Sequence, residues 1–272
     1  MIKQRPLTKR RPFLKRQVVC AAVGALMLMT AGVAAASVHV PPSPGSSLGF
    51  ESHLRGFWHI NNWNPLLSLG FRAEDDLDQL YKSLTLGSYY RLHPNLKVGA
   101  FYRLQQGARH DDDWVASGSS FTWEDSTWRT EHVFYGDISP RFLLPWMPGR
   151  DWVFLLKARY FYSTYNQHQW FQVRPGLTYF WIVDRKPVLN VSLQYEWYLP
   201  LNFSESTIYA HWPYFTVLYH LTPEIGIDAS LGYRTLNWST SEDVSDDPDH
   251  GDYSKRVRTW MIGLGAVFRF SP

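Results

Sequence analysis

Arginine is the residue type in this chain that most invites a chemical reading. Arg55, Arg72, Arg91, Arg103, Arg129, Arg141, Arg159, Arg174 and Arg234 all fall in segments where apolar and polar residues alternate. A guanidinium stays charged, and its planar fork donates two parallel hydrogen bonds to a carboxylate or phosphate. Parity along the alternating segments puts all nine on the polar face, with Lys97, Lys157 and Arg269 beside them. The same parity puts Glu51, Glu74, Glu131, Asp137, Glu196 and Asp228 there, so twelve cations face six acids. A space enclosed by that face attracts anions.

Catalysis needs a different constellation: a nucleophile, a base within reach and a group that orients the base. There are 10 His residues, but none sits in such a set. His53 follows Ser52, and neighbours in a strand point to opposite sides. His211 is expected to face inward near Tyr209 and Tyr219, as part of a packed polar cluster. Asp249 and His250 meet Asp111, Asp112 and Asp113 only if two long loops touch. No catalytic residue is therefore assigned. No glycine-rich phosphate loop or dinucleotide fingerprint occurs, so no cofactor is expected. Acidic stretches at 110–113, 124–125 and 242–252 offer oxygen ligands suited to Ca²⁺ or Mg²⁺, but EF-hand spacing is lacking. Their plainer reading is hydrated loop surface.

The elements that must hold the arginines are strands. From Lys97 to Gln105 the residues Val98, Ala100, Tyr102 and Leu104 share one face, while Lys97, Gly99, Phe101, Arg103 and Gln105 share the other. Segments of this kind recur at 50–60, 66–74, 80–92, 96–105, 127–142, 152–164, 170–181, 188–199, 207–220, 225–236 and 256–270. Most are longer than the roughly five or six residues of an ordinary strand and match the roughly 9–11 of a tilted membrane-crossing strand. Tight turns at 93–95, 183–187 and 221–224 alternate with long polar loops at 106–126 and 237–255. This layout predicts an all-β, transmembrane, antiparallel up-and-down barrel of about 10–12 strands, with an even count of ten or twelve expected.

The chain has 272 residues, of which 13 are Trp, 16 Tyr and 16 Phe. That aromatic load excludes disorder. A single Cys excludes a disulfide framework or a cysteine-built zinc site. Trp58, Phe134, Trp181, Trp212, Tyr214, Trp260 and many other rings fall on the apolar face by parity. A small barrel's interior has no room for them all, so the apolar face is expected to point out into lipid.

Residues 1–36 combine a basic opening with an Ala-rich apolar run ending Ala34-Ala35-Ala36, the pattern of a cleaved signal peptide. Residues 37–47 read as a flexible lead-in, and 48–272 as the barrel. Without the seven basic residues of the opening, 20 cations remain against 24 acids, a net charge of −4 that argues against a nucleic-acid partner.

The segment GLGAVFRF at 263–270 spaces Gly265, Phe268 and Phe270 as one glycine and two alternating aromatics, with Ser271 and Pro272 following. This resembles the C-terminal assembly signal of Gram-negative outer-membrane β-barrels. The resemblance implies a place in the cell outer membrane, contact with its lipid and lipopolysaccharide, and recognition by the barrel-assembly machinery. It implies no activity. Three functions stand open: a small passive pore whose basic lumen favours small anionic solutes, a structural or export-partner barrel with a closed, salt-bridged lumen, and an outer-membrane hydrolase or acyltransferase. Phe270→Ala is expected to lower the amount of protein in outer-membrane fractions, measured by immunoblot, while deletion of Ser271 and Pro272 changes it little.

Overall fold

The computed structural model describes residues 46–74, 79–108, 114–117, 120–123, 128–149, 151–164, 167–202, 208–239 and 254–271. The expected signal peptide, most of the lead-in and the acidic stretches at 110–113, 124–125 and 242–252 lie outside the described residues.

Eleven strands form one closed barrel. They are β1 (Ser46–Trp58), β2 (Trp63–Glu74), β3 (Gln79–His93), β4 (Leu96–Ala108), β7 (Trp128–Leu143), β8 (Trp152–Ser163), β9 (Gln169–Val183), β10 (Lys186–Pro200), β11 (Ala210–His220), β12 (Ile225–Ser239) and β13 (Ser254–Phe270). All eleven alternating segments become barrel strands. A further hairpin, β5 (Trp114–Ser117) with β6 (Ser120–Trp123), falls between β4 and β7 and forms a separate two-stranded sheet that the alternation did not reveal. Strand β1 begins at Ser46, two residues inside the stretch whose composition suggests a lead-in.

The expected even count is corrected. Neighbours along the chain pair antiparallel, but β1 and β13 pair parallel, with Ser46 opposite Arg258 and Trp58 opposite Phe270. An odd number of up-and-down strands can close only in this way, because the first and last strands then run in the same direction.

Connections alternate as the turn residues imply. One rim carries the short links 94–95, 184–185 and 221–224; the other carries the long ones, 109–127 and 240–253. Asp184 and Arg185 have φ of 50° and 62°, the left-handed pair that a two-residue hairpin needs to match strand twist.

The outward faces carry many exposed apolar side chains. Ile138, Trp181, Leu193 and Leu264 are between 49% and 61% exposed, and Phe134, Phe142, Phe215, Leu231 and Trp260 share this condition around the barrel. Trp58 stacks on Phe270 at 5.1 Å, and Trp63 leans on Tyr90 at 4.8 Å, both pairs at the rim of short turns.

The buried core lies inside the barrel wall. Phe101, Tyr135, Phe161 and Trp170 stack in sequence across β4, β7, β8 and β9, with centroid separations of 4.9, 4.8 and 4.9 Å. Glycine makes this possible: a Cβ on Gly87 would meet the Ala100 carbonyl and the Phe101 ring at 2.3 Å. Phe101→Ala should lower unfolding stability by about 3 kcal/mol, the cost of deleting a buried ring, read from urea denaturation in detergent micelles.

Candidate functional site: a basic chamber in the barrel

A cavity of about 370 Å³ occupies the lumen. Its wall includes five arginines, Arg55, Arg72, Arg103, Arg159 and Arg174, and three carboxylates, Glu51, Glu196 and Asp228. Each arises from strand alternation, and the ladder registers decide which become neighbours.

The acids are all taken. Glu196, wholly buried, accepts from Arg174 Nε and, at 2.7 Å, from Trp212 Nε1. Asp137 receives Arg159 Nε at 2.8 Å, with Lys157 Nζ at 3.8 Å and the Ser139 hydroxyl bonded to its other oxygen. Glu51 is met by Arg72 at 3.2 Å. Glu131, just behind the wall, accepts from Gln105 at 2.5 Å and from the Ser163 hydroxyl. Asp228 on β12 pairs with His53 Nε2 on β1 at 2.9 Å, spanning the strand between them. That span is open because β13 presents Gly265 there: a Cβ would stand 2.2 Å from His53 Nε2.

Aromatic faces hold the guanidinium groups as well. Arg72 and Arg234 lie over the Trp212 ring at 5.3 and 5.9 Å, and Arg174 lies over Tyr214 at 5.4 Å. Arg103 lies over Tyr135 and Phe161 at 5.2 and 5.9 Å. Such contacts attract a cation through the ring quadrupole without neutralising it.

Two of the wall's five arginines have no carboxylate partner among the described residues. Arg103 donates only to the Thr85 hydroxyl, at 3.3 Å. Arg55 is exposed to the cavity, and its side chain makes no hydrogen bond or ion pair with any described residue.

Of the nine arginines expected in the lumen, five line the chamber. Arg91 does not, although its Nε is buried without a hydrogen-bond partner among the described residues; it sits opposite Lys97 beside the 94–95 turn, six residues along the β3–β4 ladder from the level of Arg103. Arg91 and Arg103 therefore lie at different heights of the lumen, although their strands are neighbours. Arg141 is exposed and donates to the Pro94 carbonyl at 2.9 Å, so it belongs to the rim. Arg234 is not part of the chamber wall but lies over the Trp212 ring that is. The side chains of Arg129 and Glu74 lie outside the described residues.

Strand β11 reverses the expected parity. Trp212, Tyr214 and Thr216 line the chamber, so Trp212 and Tyr214 face in rather than toward lipid. His211 consequently faces out, sharing a 2.8 Å hydrogen bond with the Tyr195 hydroxyl. Gly265 faces in under His53, whereas Phe268 and Phe270 point outward; Phe270 carries the Trp58 stack. The His53–Asp228 pair was missed altogether, since no spacing rule links residues 175 positions apart. Among the described residues no group of three or more His, Cys, Asp or Glu is placed to hold a metal ion.

No family model and no curated protein matches the chain.

Glu196→Gln should lower stability by about 3 kcal/mol, the low end for breaking a buried pair because Arg174 still touches the chamber. The double change Arg174→Met, Glu196→Met should cost less. Heat-modifiable gel migration of the three proteins, scanned over temperature, checks the order.

Proposed function

We propose that the chain is an outer-membrane β-barrel whose narrow, basic lumen passes small anions. The observation that carries this reading is the chamber wall, where five guanidinium groups stand against three carboxylates and two of the five lack an acidic partner. In a confined, poorly screened space an excess of fixed positive charge concentrates anions and repels cations.

Support for the membrane setting comes from the outside of the barrel. A closed ladder leaves no unpaired edge, which hydrocarbon requires, and the outward faces expose a belt of Leu, Ile, Phe and Trp. Aromatic pairs at the rim of short turns fit the interfacial girdle of such barrels. In this setting the partners are outer-membrane lipid, lipopolysaccharide on the face of the long loops, and the assembly machinery that reads the C-terminal strand.

A second reading, a closed structural or export-partner barrel, is favoured by the ring stack and ion pairs that fill much of the lumen. One measurement separates the two. In planar bilayers under a KCl gradient, the reversal potential should have the sign for chloride over potassium. The selectivity should fade near 1 M salt, where the screening length is about 3 Å. Arg103→Gln should weaken it, while Arg91→Gln, away from the chamber, should leave it nearly intact. Cation selectivity overturns the anion reading, and absence of conductance transfers the chain to the closed class.

A further inference from the structure

Arg55 and Arg103 belong to one row of the barrel wall. Arg55 on β1 is opposite Ser68 on β2, Ser68 is opposite Thr85 on β3, and Thr85 is opposite Arg103 on β4. All four line the chamber. Neighbouring strands lie about 4.8 Å apart, so the two arginine backbones are separated by about 14 Å. The side chains between them are short, which leaves a gap flanked by two cations and floored by two hydroxyls.

The charges in this row are poised rather than spent. Arg55 shares the wall with Asp228 and Glu51, yet its side chain bonds to neither. Both of those acids already have partners, His53 and Arg72. Arg103 uses Nε on Thr85 and presents its terminal nitrogens without a described partner. Ser68 has no side-chain hydrogen bond among the described residues. The other three arginines of the wall, Arg72, Arg159 and Arg174, are held by carboxylates; these two are not. Two guanidinium groups without a carboxylate leave room in the wall for the charge of a dianion.

We propose that Arg55 and Arg103, with the Ser68 and Thr85 hydroxyls between them, form a binding site for a small divalent oxyanion of the phosphate or sulfate class. The guanidinium forks supply paired N–H donors to the oxygens, and the hydroxyls supply single ones. The site rests on the reading of the lumen as a basic chamber open to small solutes, but it does not require that solutes cross the barrel.

The test is calorimetric titration of the detergent-solubilised full chain with inorganic phosphate and with sulfate, at low ionic strength. Both should bind near one per barrel, at concentrations at least tenfold below those at which chloride competes. Arg55→Gln and Arg103→Gln should each weaken phosphate binding at least tenfold, with heat-modifiable migration retained. Arg55→Lys, which keeps the charge and loses the fork, should fall between. Arg185→Gln, in the 184–185 turn, should bind as the parent does. Chloride competing as well as phosphate, or Arg55→Gln binding at parental strength, overturns the site. Phosphate binding in a barrel that fails to conduct supports the site while removing the pore reading. Anion-selective conductance without phosphate binding does the reverse.

Discussion

A sheet of eleven up-and-down strands closes only through a parallel seam, and the rest of this molecule depends on that seam. Residues 46–58 pair in register with 258–270, so neither β1 nor β13 is left as an open edge. Thirteen residues of unpaired backbone would be untenable in hydrocarbon and a template for aggregation in water. Parallel ladders are slightly weaker per residue than antiparallel ones, and this seam is reinforced from both sides of the wall. Outside, Trp58 stacks on Phe270, and beyond the ladder His59 donates to the Phe270 carbonyl at 2.8 Å. Inside, His53 reaches over Gly265 to Asp228, tying β1 to β12 across β13.

The same register sets the electrostatics of the lumen. With Gly263 opposite Glu51 and Gly265 opposite His53, small residues clear the seam so that larger side chains can lie across it. Glu51 is then free to meet Arg72, and Arg55 is left facing the chamber. A slip of one position would turn every β1 side chain to the other face and send Glu51, His53 and Arg55 outward. Buried acids are costly unless each is bonded, and every described acid of the chamber wall has a partner. What remains is cationic because arginine tolerates aromatic faces and hydroxyls as neighbours, where a carboxylate demands donors.

Inside and outside thus obey different rules on the same strands. The outer surface carries a broad belt of exposed apolar side chains, which suits a solvent without hydrogen-bonding capacity. The inner surface combines a stacked column of rings, a network of ion pairs and a cavity of about 370 Å³. Rings and ion pairs brace the wall, and the cavity is where arginines without a carboxylate partner are exposed. A narrow basic chamber inside a rigid barrel is the arrangement on which the proposed anion chemistry relies.

The amino-acid sequence by itself located the segments that become strands, though not their odd number in the barrel, and fixed the tight turns and most of the inward set, because the period of two is written into each strand and needs no partner. Arg55, Arg72, Arg103, Arg159 and Arg174 were legible in this way. Their consequences were not. Local hydrophobicity assigned Trp212 and Tyr214 to lipid and His211 to the lumen, whereas the indole N–H of Trp212 is needed by Glu196 and its ring by Arg72 and Arg234, all on other strands. Parity could not tell that Arg91 and Arg141 stop at the rim, since height in a barrel follows from stagger between strands and not from alternation within one. Nor could it show that His53 answers Asp228 through a glycine gap, or that Arg55 is left over once the acids are matched. Strand identity is a local property of the chain; pairing across a closed sheet is not, and only the tertiary structure decides which charges find one another.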